Sequence, residues 1–118
     1  MSTLRDHKVK AAHNETLAAS LTAPFYDWAV TVYFYAAVQY IEAHFSKNMP
    51  PFHSPSHYKR DSAIGLSKTL KPIWRDYREL KNQSGLARYE AHITFKASDV
   101  SKAKAKLDTI KSVIIPTL

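Results

Sequence analysis

One segment limits what this chain can become. Residues 25–47 hold eight aromatic side chains, Phe25, Tyr26, Trp28, Tyr33, Phe34, Tyr35, Tyr40 and Phe45, and contain neither proline nor glycine. Val, Ala and Ile fill most places between them, so the middle is apolar nearly all round. A helix of that pattern has to be packed on several sides. Pro24 stands just before it, where the missing N–H of proline costs nothing. Asp27 falls in the first turn, where a negative charge complements the helix dipole. The weakly polar run at 28–41 spans 14 residues, short of the roughly 20 that cross a bilayer. The segment is therefore expected to be the central core helix of a soluble protein. Truncating Trp28 is then expected to cost about 3–5 kcal/mol.

The rest of the chain supplies partners for that helix. A first helix is expected over 4–20, with Leu4, Ala11, Ala18 and Leu21 sharing a face that Val9, Ala12 and Leu17 widen. Three prolines within 48–55 interrupt helix formation. Ser56 is then placed to cap a third helix that carries Tyr58, Arg60, Asp61, Ile64 and Leu66. Pro72 opens a fourth, in which Ile73, Tyr77 and Leu80 recur at i, i+4 and i+7 beside Trp74. Ser84 and Gly85 are expected to end it. Residues 86–95 read either as a helical turn or as an extended connection. Ser98 is expected to cap the fifth helix, with Asp99 at its positive end. Val100, Ala103, Leu107, Ile110 and Ile114 form its apolar stripe, and Pro116 stops it. Two glycines and no run of alternating β-branched residues argue against a β-rich fold. The expectation is all-α: one domain over residues 1–118, an antiparallel bundle of four to five helices around the aromatic-rich one.

Charge narrows the partners. Seventeen Lys and Arg against ten Asp and Glu leave a net charge of +7, which favours a polyanion such as RNA or an acidic partner. With no cysteine there is no disulfide, thiolate metal site or Cys nucleophile. The first residues mix both signs of charge without an apolar stretch, so no secretory signal is read there, and a cytoplasmic location is expected.

The chemistry-bearing residues gather near the prolines and the late helices. His57 and Arg60 stand at i and i+3, a spacing that lets a guanidinium and an imidazole grip one phosphate or form an ordinary surface pair. Gln39 and Glu42 repeat that spacing on the apolar helix, where polar groups need partners. Arg60 or Arg88 can supply one for Glu42. Arg88, Tyr89 and His92 follow Gly85, with the arginine suited to hold a phosphate and the histidine to move a proton. His44, His53 and His57 raise the question of a metal. Pro55 breaks the helical geometry of His53-x-x-x-His57, so no metal is assigned and no cofactor is implied.

Trp28-Ala-Val-Thr-Val-Tyr-Phe-Tyr-Ala-Ala-Val-Gln39-Tyr-Ile-Glu42-Ala resembles the central helix of small HEPN-domain proteins. Ser56-His57-Tyr-Lys-Arg60 follows in the matching order, as does Tyr77-x-x-Leu80-x-x-x-Ser84-x-x-Ala87-Arg88-Tyr89. The likeness extends over about residues 12–115. It implies a helical bundle, commonly a homodimer, in which many members are metal-independent endoribonucleases, toxins of toxin–antitoxin or defence systems, or silent RNA binders. Active members carry an Arg and a His four to six residues apart. Here only three residues separate Arg88 and His92, and Gln39 stands where close relatives have His. The resemblance therefore implies an RNA-directed protein, either a binder or a weak or defunct ribonuclease. Arg88 and His92 are its candidate catalytic pair, and Gln39, Glu42, His57, Arg60 and Tyr89 its substrate-binding residues. A nucleotidyltransferase-like antitoxin is a candidate partner. The competing reading is a non-enzymatic interaction module that pairs with itself or with another protein.

Overall fold

The computed structural model describes residues 2–48 and 57–118. Five α-helices follow in order: α1 (Leu4–Ser20), α2 (Tyr26–Asn48), α3 (His57–Leu66), α4 (Trp74–Tyr89) and α5 (Ala97–Ile114). Short 3-10 turns precede α4 at Lys71–Ile73 and follow α5 at Ile115–Thr117. Among the described residues there is no strand, and no helix is long and apolar enough to cross a membrane. The proline segment and Ser56, read above as a loop and a cap, lie outside the described residues, apart from Asn48, which ends α2.

α2 is the axis of the bundle, packed against α1, α4 and α5. Phe34, Ile41 and Phe45 on α2 are fully buried, as are Tyr77 and Leu80 of α4 and Leu107, Ile110 and Ile114 of α5. The Phe34 and Tyr77 rings meet at 5.9 Å between centroids, and Trp74 stacks on Tyr77 at 6.0 Å. Such ring pairs add to the burial of the rings themselves. α1 is tied in by polar contacts as well. Tyr40 Oη donates to Glu15 Oε1 at 2.9 Å, and Lys111 Nζ donates to Glu15 Oε2 at 2.8 Å, so α1, α2 and α5 share one carboxylate. Burial, with Glu15 accepting from its hydroxyl, holds Tyr40 protonated well above the usual phenol range.

Trp28 corrects the expectation drawn from the aromatic pattern: it is 51 % exposed, and Phe25 and Tyr35 are also open. Trp28 lies six residues before Phe34, about 120° round the helix from the face that meets Tyr77. Gly85 is a second correction. α4 runs through it to Tyr89, with a helical backbone, so the glycine is no C-terminal cap. The reason is the ladder Tyr77, Leu80, Ser84, which keeps one face of α4 buried and carries the helix past the weak residue. Residues 86–89 are thus the last turn of α4, and a turn at 90–92 leads toward α5. Ser98 lies inside α5 and does not cap it. Lys96 is the cap, and its backbone N–H donates to Asp99 Oδ2 at 2.8 Å.

Phe34→Ala is expected to cost about 3–5 kcal/mol in urea denaturation, and Trp28→Ala about 1 kcal/mol or less. Equal losses would contradict this placement of the two rings. At Gly85 an added Cβ meets nothing within 4 Å. Gly85→Ala should therefore raise stability by roughly 0.5–1 kcal/mol, checked by thermal melting.

Candidate functional site

Glu42 and Gln39, the two polar residues of α2 singled out above, find partners on two different helices. Arg60 Nε donates to Glu42 Oε1 at 3.0 Å, with both side chains only 11 % exposed. This ion pair fastens α3 to α2. Next to it on α3, Asp61 accepts from the Tyr77 hydroxyl at 2.8 Å and from Lys81. Burial, and the carboxylate that accepts its proton, push the Tyr77 hydroxyl far above its ordinary range. Tyr77 therefore stays a neutral donor and serves as a structural strut. Gln39 goes elsewhere: His7 Nδ1 donates to its Oε1 at 2.8 Å, which joins it to α1.

Arg88 sits at the end of a polar ladder on α4, after Tyr77, Lys81 and Ser84 at steps of four, three and four. Its Nε donates to the Ser84 carbonyl at 3.1 Å and its Nη1 to Tyr35 Oη at 3.2 Å. The guanidinium carbon lies 5.7 Å from the Tyr35 ring centre and 5.0 Å from that of Tyr89. Both are cation–π distances. All these partners are neutral, and among the described residues no carboxylate lies within ion-pair reach of Arg88. The side chain is thus held in place while its charge stays uncompensated. Each terminal nitrogen also keeps an N–H beyond those used, so the fork retains capacity for an oxyanion. Beside it runs a shallow groove lined by Lys81, Asn82, Gly85, Leu86, Tyr89 and Glu90.

The expected site residues are therefore divided rather than gathered. Glu42 and Arg60 form one pair. Arg88, Tyr89 and Tyr35 form another group, and Tyr35 lies two turns, about 10 Å, before Glu42 on α2. Arg88 does not supply Glu42's partner. His92 falls past the end of α4, so its i+4 spacing from Arg88 does not stack the two. It is largely exposed, with Nδ1 3.8 Å from Glu90, and no hydrogen bond joins it to Arg88. The side chain of His57 and the whole of His53 lie outside the described residues. Among the described residues no group of three or more His, Asp or Glu side chains is placed to hold a metal ion. Tyr35 is the site residue that the sequence reading missed. Its signal was Arg88 itself, a cation on the last turn of a helix that packs on α2.

His44 stands apart from this chemistry. It is buried, and its Nδ1 lies 2.7 Å from the Thr117 hydroxyl. That hydroxyl already donates to the Ile114 carbonyl at 2.6 Å, so it accepts from His44 Nδ1–H. Asn48 completes the clamp by donating to the Thr117 carbonyl at 3.2 Å. The contacts pin the C-terminal turn onto α2.

No protein family, curated protein or solved structure matches this chain significantly.

Burial lowers the His44 pKa below its ordinary value of 6.5. The unfolded chain then binds this proton at a higher pH than the folded chain does, and stability rises with pH over that interval. Full stability is present above pH 6.5 and is lost as pH drops toward the folded value. His44→Gln keeps a donor but cannot titrate. In urea melts between pH 7.5 and 5, its stability relative to wild type should rise as pH falls. A constant difference would contradict a buried neutral imidazole.

Proposed function

We propose that this protein is an RNA-directed, HEPN-like helical bundle of the cytoplasm that binds RNA and does not cut it. The observation that carries the reading is Arg88, which is fixed by two tyrosines and a serine and lacks a carboxylate partner among the described residues. A buried or half-buried arginine is ordinarily neutralised by an acid. One that is oriented and left charged on a protein of net charge +7 is suited to a phosphate. Base stacking on the largely exposed Tyr89 ring would add to that contact. Cleavage is disfavoured because His92, the expected proton-transfer partner, lies past the end of α4 and makes no bond to Arg88. Pairing with a second copy or with a nucleotidyltransferase-like antitoxin fits the same reading.

A second reading, the pure interaction module, has its own observation. α1 turns a face outward on which Val9 and Leu17 are exposed beside Ala12, His13, Thr16 and Ser20. Light scattering of the purified protein tests that face, since Leu17→Glu would lower the measured mass if α1 makes the contact.

RNA binding is measured by anisotropy of a labelled single strand over a range of salt. Log affinity should fall linearly with log salt, and Arg88→Ala should weaken binding and reduce the slope by about one. Total RNA should remain intact with wild type and with the variant alike. Cleavage by wild type alone would replace the binder with a nuclease, and unaltered binding by Arg88→Ala would remove the reading.

A further inference from the structure

The open aromatics of α2 are not scattered. Phe25, Trp28, Val32, Tyr35 and Gln39 follow at steps of three, four, three and four, so they share one face. Phe25 precedes the first residue of α2 but continues its path, since the Ala29 N–H donates to its carbonyl at 3.0 Å. On this face Phe25 is 52 %, Trp28 51 % and Tyr35 37 % exposed, while Val32 between the last two is buried. On the other faces Tyr33, Phe34, Tyr40 and Phe45 are buried. α1 and α4 border the strip and leave its aromatic rings open, though Val32 among them is covered. His7 reaches Gln39 from one side and Arg88 reaches Tyr35 from the other. Lys10 follows His7 by three residues on α1 and is exposed, so a second cation lies on that flank. The one acid at the strip's start, Asp27, turns its carboxylate back onto the Trp28 N–H at 2.9 Å.

Large aromatic rings left open along one line mark a binding surface. The spacing alone would suit a partner helix. The border decides otherwise, because the strip runs directly into the uncompensated charge of Arg88 and the exposed ring of Tyr89. Aromatic rings in series with a free cation are the elements of a single-strand nucleic-acid site, where bases stack and phosphates are held. A duplex keeps its base faces inside its own stack and cannot offer them.

We propose that this strip is a track for an unpaired RNA strand, with one base stacked on Trp28, another on Tyr35 or Tyr89, and a phosphate of the strand on Arg88. The proposal rests on the RNA-directed reading above and gives it a form of substrate. Trp28 and Tyr35 are seven residues apart, about 10 Å along the helix. At 3.4 Å per stacked base, about three to four nucleotides bridge them.

The test uses the full chain, a labelled 12-nucleotide single-stranded RNA, and the same sequence as a duplex. Wild type should bind the single strand at least about tenfold tighter than the duplex. Trp28→Ala should lose roughly five- to hundredfold in single-strand affinity, and Trp28→Phe should keep most of it. In a Trp74→Phe background Trp28 is the remaining tryptophan, and its fluorescence should be quenched by the single strand. Three results would overturn the track: equal affinity for both RNAs, unquenched Trp28, or Trp28→Ala binding like wild type while Arg88→Ala does not. The last of these leaves the RNA reading standing. Failure of wild type to bind either RNA removes both. A drop in the mass of RNA-free protein on Trp28→Ala, with single-strand affinity unchanged, would assign the strip to a protein partner instead.

Discussion

The structure depends on the need to cover α2. A helix that is apolar over most of its circumference cannot face water on more than one side, so α1, α4 and α5 are arranged around it and α3 is fastened to its C-terminal half. The fully buried contact of Phe34 on Tyr77 sets α2 against α4. Tyr77 carries a hydroxyl into that contact, and a buried hydroxyl requires an acceptor. Asp61 provides it, and Asp61 in turn draws in Lys81. One aromatic contact thus fixes the place of α3 and of two charged residues on it and beside it.

The same requirement explains the other polar groups on α2. Glu42, His44 and Thr31 are buried because their helix is. Arg60 neutralises Glu42, Thr117 accepts from His44, and the Thr31 hydroxyl donates to the Asp27 carbonyl one turn back. These contacts give each buried group a partner inside the protein. Arg88 is the exception. Its partners orient it but do not neutralise it, and it borders the face of α2 that remains open. Charge and exposed aromatic surface therefore coincide in one region of the bundle.

Much of the architecture was legible in the residues. The run from Phe25 to Phe45 could be nothing but a packed helix, and the i, i+4, i+7 spacing of Ile73, Tyr77 and Leu80 and of Ala103, Leu107 and Ile110 named the faces turned to it. α1 was bounded correctly because Ser20 is followed by a segment with Pro24. The misses share a cause. Gly85 and Ser98 were read by local preference, which is worth about 1 kcal/mol, and the packing of whole helix faces outweighs that. Trp28 was read by residue type, yet its burial depends on which of its helix's faces has a neighbour.

For the candidate site the sequence determined the inventory: basic charge, an arginine and a tyrosine on a late helix, and polar residues at i, i+3 on an apolar one. Helical periodicity is local, so it was enough to place each of them on a helix and most of them on a face. Which of them meet was decided only by the tertiary structure. Glu42 takes Arg60, Gln39 takes His7, and Arg88 takes Tyr35 because these partners are separated by 18 to 53 residues in the chain. No local rule relates residues at such distances. The packing of four helices around α2 brings them together, and it also leaves Phe25, Trp28 and Tyr35 exposed along one side of that helix.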